Sequence, residues 1–306
     1  MRWNWIIGLL VTAVIVSPLA AQSAKPIAVV NGEAIPRAEF DAIRKLRPAA
    51  VTPPTAAQIK AENEQIVAFL VDETLFRQFL AKETTAAKSD EVKAQFTALT
   101  DSLKAQNKTI TDYCKQTQQT ETQIRSNIES IIRWTAYVSK KVTDAQLLAY
   151  YNENKDFFDK VTVKCNHIVV RLAPDATAAD RAEATAKLKE LRQQIVSGKI
   201  TFADAAQKFS QCPSAQRGGN IGYVYRKWMV EEPFAKAAFA MKVNDISDVV
   251  TTDAGVHLIQ VTDRKPPEPS DFAKIKDDVR DCCGEEMRQN LIGDLRKSAK
   301  IEVNLQ

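Results

Sequence analysis

The last helix-patterned segment sets the topology of this chain. From Asp271 to Lys297, apolar residues recur at helical spacing, at Phe272, Ile275, Val279, Met287, Leu291 and Leu295. An amphipathic helix of this kind carries an apolar stripe that it cannot cover by itself. Just before it, Pro266, Pro267 and Pro269 form a linker. Before the linker, from Val161, the sequence is β-rich. The last helix therefore has to return to the helix-rich residues 24–160, and the middle of the chain becomes an insertion.

The helix-rich part starts with Ile27-Ala-Val-Val-Asn-Gly-Glu-Ala-Ile35, two short apolar runs around an Asn-Gly turn, which is a hairpin signal. Pro36 opens a helix through Phe40, Ile43 and Leu46. After the loop at Pro48, Pro53 and Pro54, helical spacing runs from Thr55 to Lys82, with Ile66, Phe69, Leu70, Leu75, Phe76 and Leu80 as its apolar positions. Two further helices are expected over 88–106 and 120–141, and Thr143-Asp-Ala-Gln146 opens another with a capping-box start.

In the middle part, Val161 to Val170 is a strand, Ala178 to Ser197 an amphipathic helix ended by Gly198, and Thr201 caps a short helix to Phe209. A loop follows, Ser210-Gln-Cys-Pro-Ser-Ala-Gln-Arg-Gly-Gly-Asn220. Ile221 to Tyr225 reads as a strand, Glu232 to Ala240 as a helix, and 249–252 and 256–262 as strands.

Composition limits the functional classes. The 306 residues, 45% hydrophobic and 26% charged, suit about two globular domains. A formal charge of +4, from 42 basic and 38 acidic residues interspersed along the chain, makes no field that would recruit nucleic acid. Residues 1–23 read as a secretory signal: Arg2 is the only charge, Ile6 to Val16 is apolar, Ser17-Pro18 breaks the run, and Ala21-Gln-Ser23 offers small residues for cleavage. An uncleaved anchor is the alternative, but spanning a bilayer takes roughly 20 apolar residues and this run is shorter. The five cysteines, Cys114, Cys165, Cys212, Cys282 and Cys283, have no zinc-ligand spacing. In an oxidising compartment Cys282 or Cys283 could bridge to Cys114, and sequence alone does not decide it.

Only two histidines occur, His167 and His257, each in a β-patterned run, with Cys212 between them in sequence. A single buried histidine is more often structural than functional, and a single thiol is as readily packed as reactive. The runs Cys165-Asn-His167, Ser210-x-Cys212-Pro-Ser-x-x-x-Gly218-Gly-Asn-Ile-Gly222, Met229 with Pro233-Phe234, and Thr252-x-x-Gly255-Val-His257 resemble, taken together, the parvulin family of peptidyl-prolyl isomerases. The hairpin and helices on either side look like exported chaperone-isomerases of the SurA type. The resemblance implies an α+β fold, a parvulin half-barrel with a four-stranded sheet and surrounding helices, inserted between an N-terminal helical chaperone domain and a C-terminal helix that packs back on it. The implied division is a signal over 1–23, the helical domain over 24–160, the isomerase domain over 161–265, and a linker and final helix over 266–306.

On the family pattern His167 and His257 form a hydrogen-bonded pair, Thr252 steadies it, and Cys212 faces the prolyl carbonyl. Ile221, Met229 and Phe234 line the slot for the proline ring. The sequence departs from the pattern at Asn220, where an acid is usual, and in one extra residue between Met229 and Phe234. A basic cluster for phosphate is lacking, since Arg171 is the only basic residue from Arg171 to Asp180. The function implied is a periplasmic peptidyl-prolyl isomerase and chaperone, without cofactor or metal, acting on unfolded exported or outer-membrane proteins with X-Pro bonds. The alternative is a catalytically silent holdase.

Overall fold

The computed structural model describes residues 25–46, 53–173 and 176–305, which fall into two compact units. One unites the chain up to Leu147 with the residues from Lys276 onward; the other is continuous from Leu148 to Ile275. The signal read over 1–23 lies outside the described residues. Among those described, no helix is long and apolar enough to cross a membrane.

The two-segment unit begins with the expected hairpin. Strands β1 (Ala28–Val30) and β2 (Glu33–Ile35) pair antiparallel, with Asn31 and Gly32 both at positive φ, 51° and 86°, the combination that an Asn-Gly hairpin turn supplies. A third strand, β7 (Ile301–Val303), completes a small sheet of order β2-β1-β7. Sequence patterning missed β7, because three residues carry no period.

Helices α1 (Arg37–Lys45), α2 (Ala56–Glu83), α3 (Ser89–Ala105), α4 (Ile110–Thr117) and α5 (Glu121–Lys141) follow; α4 was not expected. Threonine starts most of them. Thr55, Thr109 and Thr120 each accept the backbone N–H three residues on, while that residue's side chain returns the bond to the threonine amide. Thr143 and Gln146 do the same for α6 (Asp144–Glu153). Each such cap contributes about 1 kcal/mol.

The final helix α11 (Phe272–Ser298) is long, as its pattern predicts. Val279 and Cys282 are buried, and Arg288 and Arg296 pair with Glu73 and Asp72 of α2. A Cβ on Gly284 would stand 3.3 Å from Val138, so the absence of a side chain lets α11 approach α5. No disulfide joins the cysteines among the described residues, so the bridge considered for Cys114 is not formed.

The continuous unit holds the second sheet. Its elements are the short helix α7 (Lys155–Phe158), which was not expected, then β3 (Thr162–Arg171), α8 (Ala178–Val196), α9 (Phe202–Phe209), a 3-10 turn (Pro213–Arg217), β4 (Asn220–Tyr225), α10 (Glu232–Ala240), β5 (Val250–Thr252) and β6 (Gly255–Lys265). The sheet order is β4-β3-β6-β5, antiparallel throughout.

Residue parity assigns its two faces. Ile168 of β3 and Val256 and Leu258 of β6 pack with α8 and α9 through Leu188, Leu191, Phe202 and Ala205. Val163 and Cys165, with Ile259 and Val261, pack on the other face with Phe234 and Ala238 of α10. His167 and His257 are also odd-numbered and so belong to the α10 face. The sheet thus has a core on both sides, and the α10 side also carries the imidazoles.

Candidate active site

His167 lies on β3 and His257 on β6, the two central strands. The register pairs His167 with Ile259 and Val169 with His257, so the two histidines are diagonal neighbours on one face. Their rings stack, with centroids 5.7 Å apart and planes 19° from parallel. Here the structure corrects the expectation of a hydrogen-bonded pair. Stacked rings present faces to one another rather than nitrogens. Neither nitrogen of His167, nor Nδ1 of His257, has a hydrogen-bond partner among the described residues.

Both imidazoles are buried, and burial disfavours the charged form of each. Burial, and then the charge of His167, pushes the His257 pKa down to about 4. Burial, and then Arg171, also lowers His167. A buried group resists carrying a charge, and two adjacent imidazoles resist carrying two.

Thr252, the last residue of β5, brings its Oγ1 within 2.9 Å of Nε2 of His257. Phe234, near the start of α10, stands edge-on to both rings, 5.9 Å from His167 at 72° and 5.7 Å from His257 at 90°. It is 4% exposed. The extra residue between Met229 and Phe234 therefore does not displace this ring from the histidines.

These groups open on a cavity of about 470 Å³, a size suited to a small ligand or a piece of chain. Six of the residues singled out from sequence line it: His167, Ile221, Met229, Phe234, Thr252 and His257. Cys212 does not. It is the N-cap of the 3-10 turn that Pro213 opens, and its carbonyl accepts from the Ala215 amide. Its loop is sewn to β3 by Val169 N–H to Ser210 Oγ at 3.1 Å and by Gln211 N–H to the Val169 carbonyl at 2.9 Å. The turn thus fixes Cys212 in the loop and outside the cavity lining.

The Gly-Gly pair does its work through close approach. Gly219 has φ of 84°, and a Cβ there would fall 2.4 Å from the His167 carbonyl oxygen. Its own carbonyl accepts the His167 amide at 2.9 Å. Asn220, where an acid was expected on the family pattern, accepts the Gly222 amide on Oδ1 at 2.8 Å. That task needs an oxygen, and no charge.

Sequence reasoning missed Trp228, Val230 and Glu231, which also line the cavity. Trp228 is half exposed, packs edge-on to Phe157 at 5.1 Å, and has φ of 62°, rare for a bulky residue. The carboxylate of Glu231 accepts from the amides of Asp253 at 2.6 Å and Ala254 at 3.3 Å. Burial works to raise the pKa of Glu231, but the neighbouring Thr252 hydroxyl and the bonds from these two amides bring it below the usual carboxylate range. A signal did exist, since Glu231-Glu-Pro precedes a helix and places Glu231 at its start. The crossing of its side chain to another turn is not encoded locally. No group of three or more His, Cys, Asp or Glu that could hold a metal occurs among the described residues.

An antiparallel four-stranded sheet with helices on both faces thus carries the paired imidazoles over an apolar cavity. Residues 167–263 match the family model described as the PPIC-type PPIASE domain. Over 82 residues the chain is 49% identical to peptidyl-prolyl cis-trans isomerase Pin1 of Arabidopsis thaliana, covering 27% of this chain and 68% of that protein. The chain belongs to the parvulin family of peptidyl-prolyl isomerases. It is also similar along 94% of its length to a probable parvulin-type peptidyl-prolyl cis-trans isomerase of Bordetella bronchiseptica, 29% identical over 294 residues and 96% of that protein. A match to chaperone SurA of Cupriavidus metallidurans, 35% identical over 144 residues, covers 45% of this chain and 28% of the other.

Proposed function

We propose that this protein is an exported peptidyl-prolyl isomerase and chaperone that works in the periplasm on unfolded exported or outer-membrane polypeptides with X-Pro bonds. On this reading residues 1–23 are a cleaved signal, 24–160 and 266–306 hold unfolded chain, and 161–265 isomerises it.

Rotation about a tertiary amide meets a barrier of about 18–20 kcal/mol and takes tens to hundreds of seconds unaided. At the twisted transition state the amide resonance is lost, and the carbonyl and nitrogen change their charge. A catalyst needs no covalent bond for this, only a cavity that fits the twisted form better than either planar one. Ile221, Met229 and Phe234 grip the ring. His167, His257 and Thr252 offer neutral polar groups where the charge shifts, and Cys212 contributes secondarily from the adjoining loop. The observation that carries this reading is the convergence of both histidines, Thr252 and Phe234 on one apolar cavity.

The test is the cis-to-trans rate of an Ala-Pro peptide with the full chain, run beside suppression of aggregation of an unfolded protein. Acceleration is expected in the first. Suppression without acceleration would leave the catalytically silent holdase. Cell fractionation tests the compartment, and recovery in the cytoplasm would remove that part of the reading.

A further inference from the structure

The segment 226–231, between β4 and α10, forms one wall of the cavity through Trp228, Met229, Val230 and Glu231. The first three side chains are apolar, and Trp228 and Met229 stay about half exposed, at 49% and 51%. Glu231 is different. Among the described residues that line the cavity it is the only carboxylate, and no lysine or arginine accompanies it there.

The carboxylate is held from outside its own helix. Glu231 is the N-cap of α10, but its side chain makes no capping bond to that helix. Its Oε2 accepts the Asp253 amide at 2.6 Å and its Oε1 the Ala254 amide at 3.3 Å, so both oxygens are anchored on the β5–β6 turn. Neutral amides fix a carboxylate without cancelling its charge, and each oxygen keeps a further lone pair. The cations of the same segment are engaged elsewhere. Arg226 pairs with Glu232 through two bonds of 2.7 Å, and Lys227 lies over the Tyr150 ring, 5.3 Å from its centre. Arg171, whose charge is felt by both histidines, is outside the cavity lining, with its Nε bonded to the Gln211 carbonyl at 3.3 Å. One anchored negative charge thus ends an otherwise apolar wall.

An apolar path that ends at a carboxylate is the complement of a long basic side chain, whose methylenes pack on apolar surface while its head keeps the charge. An aliphatic or aromatic side chain matches only the path. An acidic one meets a like charge beside an apolar cavity, where repulsion is strong. We propose that Glu231 is a specificity-determining residue for the isomerisation, selecting substrates with lysine or arginine next to the proline and rejecting those with an acidic or phosphorylated residue there. The stem of the basic side chain crosses Trp228 and Met229, and its head reaches the Glu231 carboxylate. The inference rests on the function proposed above, since the wall that carries Glu231 belongs to the cavity assigned to the proline.

The test is cis-to-trans exchange measured by NMR with the full chain on two sets of short peptides. One set carries lysine, alanine or glutamate immediately before the proline, and the other carries them immediately after it. In wild type kcat/KM is expected to fall in the order lysine, alanine, glutamate in at least one set, by about tenfold from first to last, because attraction of one charge adds to repulsion of the other. Glu231→Gln keeps an oxygen for an amide and removes the charge, and is expected to bring the three values within about twofold of one another. Persistence of the order in Glu231→Gln overturns the proposal. So does a wild type that shows that order in neither set, which decides the matter even if the glutamine variant does not fold. Lack of acceleration of every peptide strikes the proposed function instead, whereas acceleration that ignores charge strikes this inference alone.

Discussion

Phe234 stands perpendicular to His257, ring centre 5.7 Å from ring centre, and the same ring also meets His167 edge-on. One phenyl group thus packs the imidazole pair from the α10 side and closes the same cavity. Phe234→Ala is expected to destabilise the domain by about 3–5 kcal/mol, the range for removing a buried aromatic ring. It should also lower isomerase activity more than Phe234→Leu does. Chemical denaturation and the peptide assay check this, and an alanine variant of unchanged stability would show that the ring is not packed as described.

The histidine pair gives stability a defined pH dependence. The folded pKa of His257 is about 4, below its ordinary 6.5, so the unfolded chain binds the proton more readily. Stability from this residue is complete above pH 6.5 and is lost as pH falls through 4. At one pKa unit per 1.36 kcal/mol the loss is on the order of 3 kcal/mol. His257→Asn should flatten the fall between pH 6.5 and 4 in urea titrations. His257 should add no step to the catalytic pH profile between pH 6 and 8, because in the folded protein it titrates near 4.

Cys212 gives the opposite expectation. Since it caps a 3-10 turn and does not line the cavity, Cys212→Ala and Cys212→Asp should both keep activity within about fivefold of wild type, well short of the loss seen when a nucleophile is removed. Complete loss in a folded variant would point to covalent chemistry.

Glu39 provides a test in the other unit. It is 5% exposed on α1, and burial, opposed by the charge of Arg77 and reinforced by Glu33, pushes its pKa up to about 8. A raised folded pKa means stability that is present below the unfolded value of 4.5 and lost as pH rises through 8. Glu39→Gln is therefore expected to raise Tm at pH 8, by on the order of 5 °C, and to change it little at pH 5. Equal shifts at both pH values would contradict this account.

Much of the architecture is legible in the sequence, because it depends on periods and caps. The alternation in β3 and β6, the stripes of α2 and α8 and the threonine starts are local signals, and each element formed within a few residues of its expected place. The missed elements are short ones, α4, α7 and β7. β7 exists because β1 pairs with it. In the site, the resemblance to the family implies a shared place for six residues that do line one cavity. It does not show that the imidazoles stack, which follows from a diagonal register. Nor does it show that Trp228 turns through a positive φ to reach the rim, or that Glu231 reaches from α10 to the β5–β6 turn. These depend on contacts between elements that the sequence keeps apart.

The pairing of β1 with β7 also orders events in time. Asn31 at the hairpin turn meets Lys300, 269 residues further along. A ribosome must therefore deliver nearly the whole of this chain before its first sheet can close. Everything from Leu148 to Ile275 is made in the interval and needs nothing from the late strand to complete its own sheet. As the chain emerges, first residue first, the catalytic part can complete its fold while the opening hairpin still waits, with its edge uncovered, for the late strand.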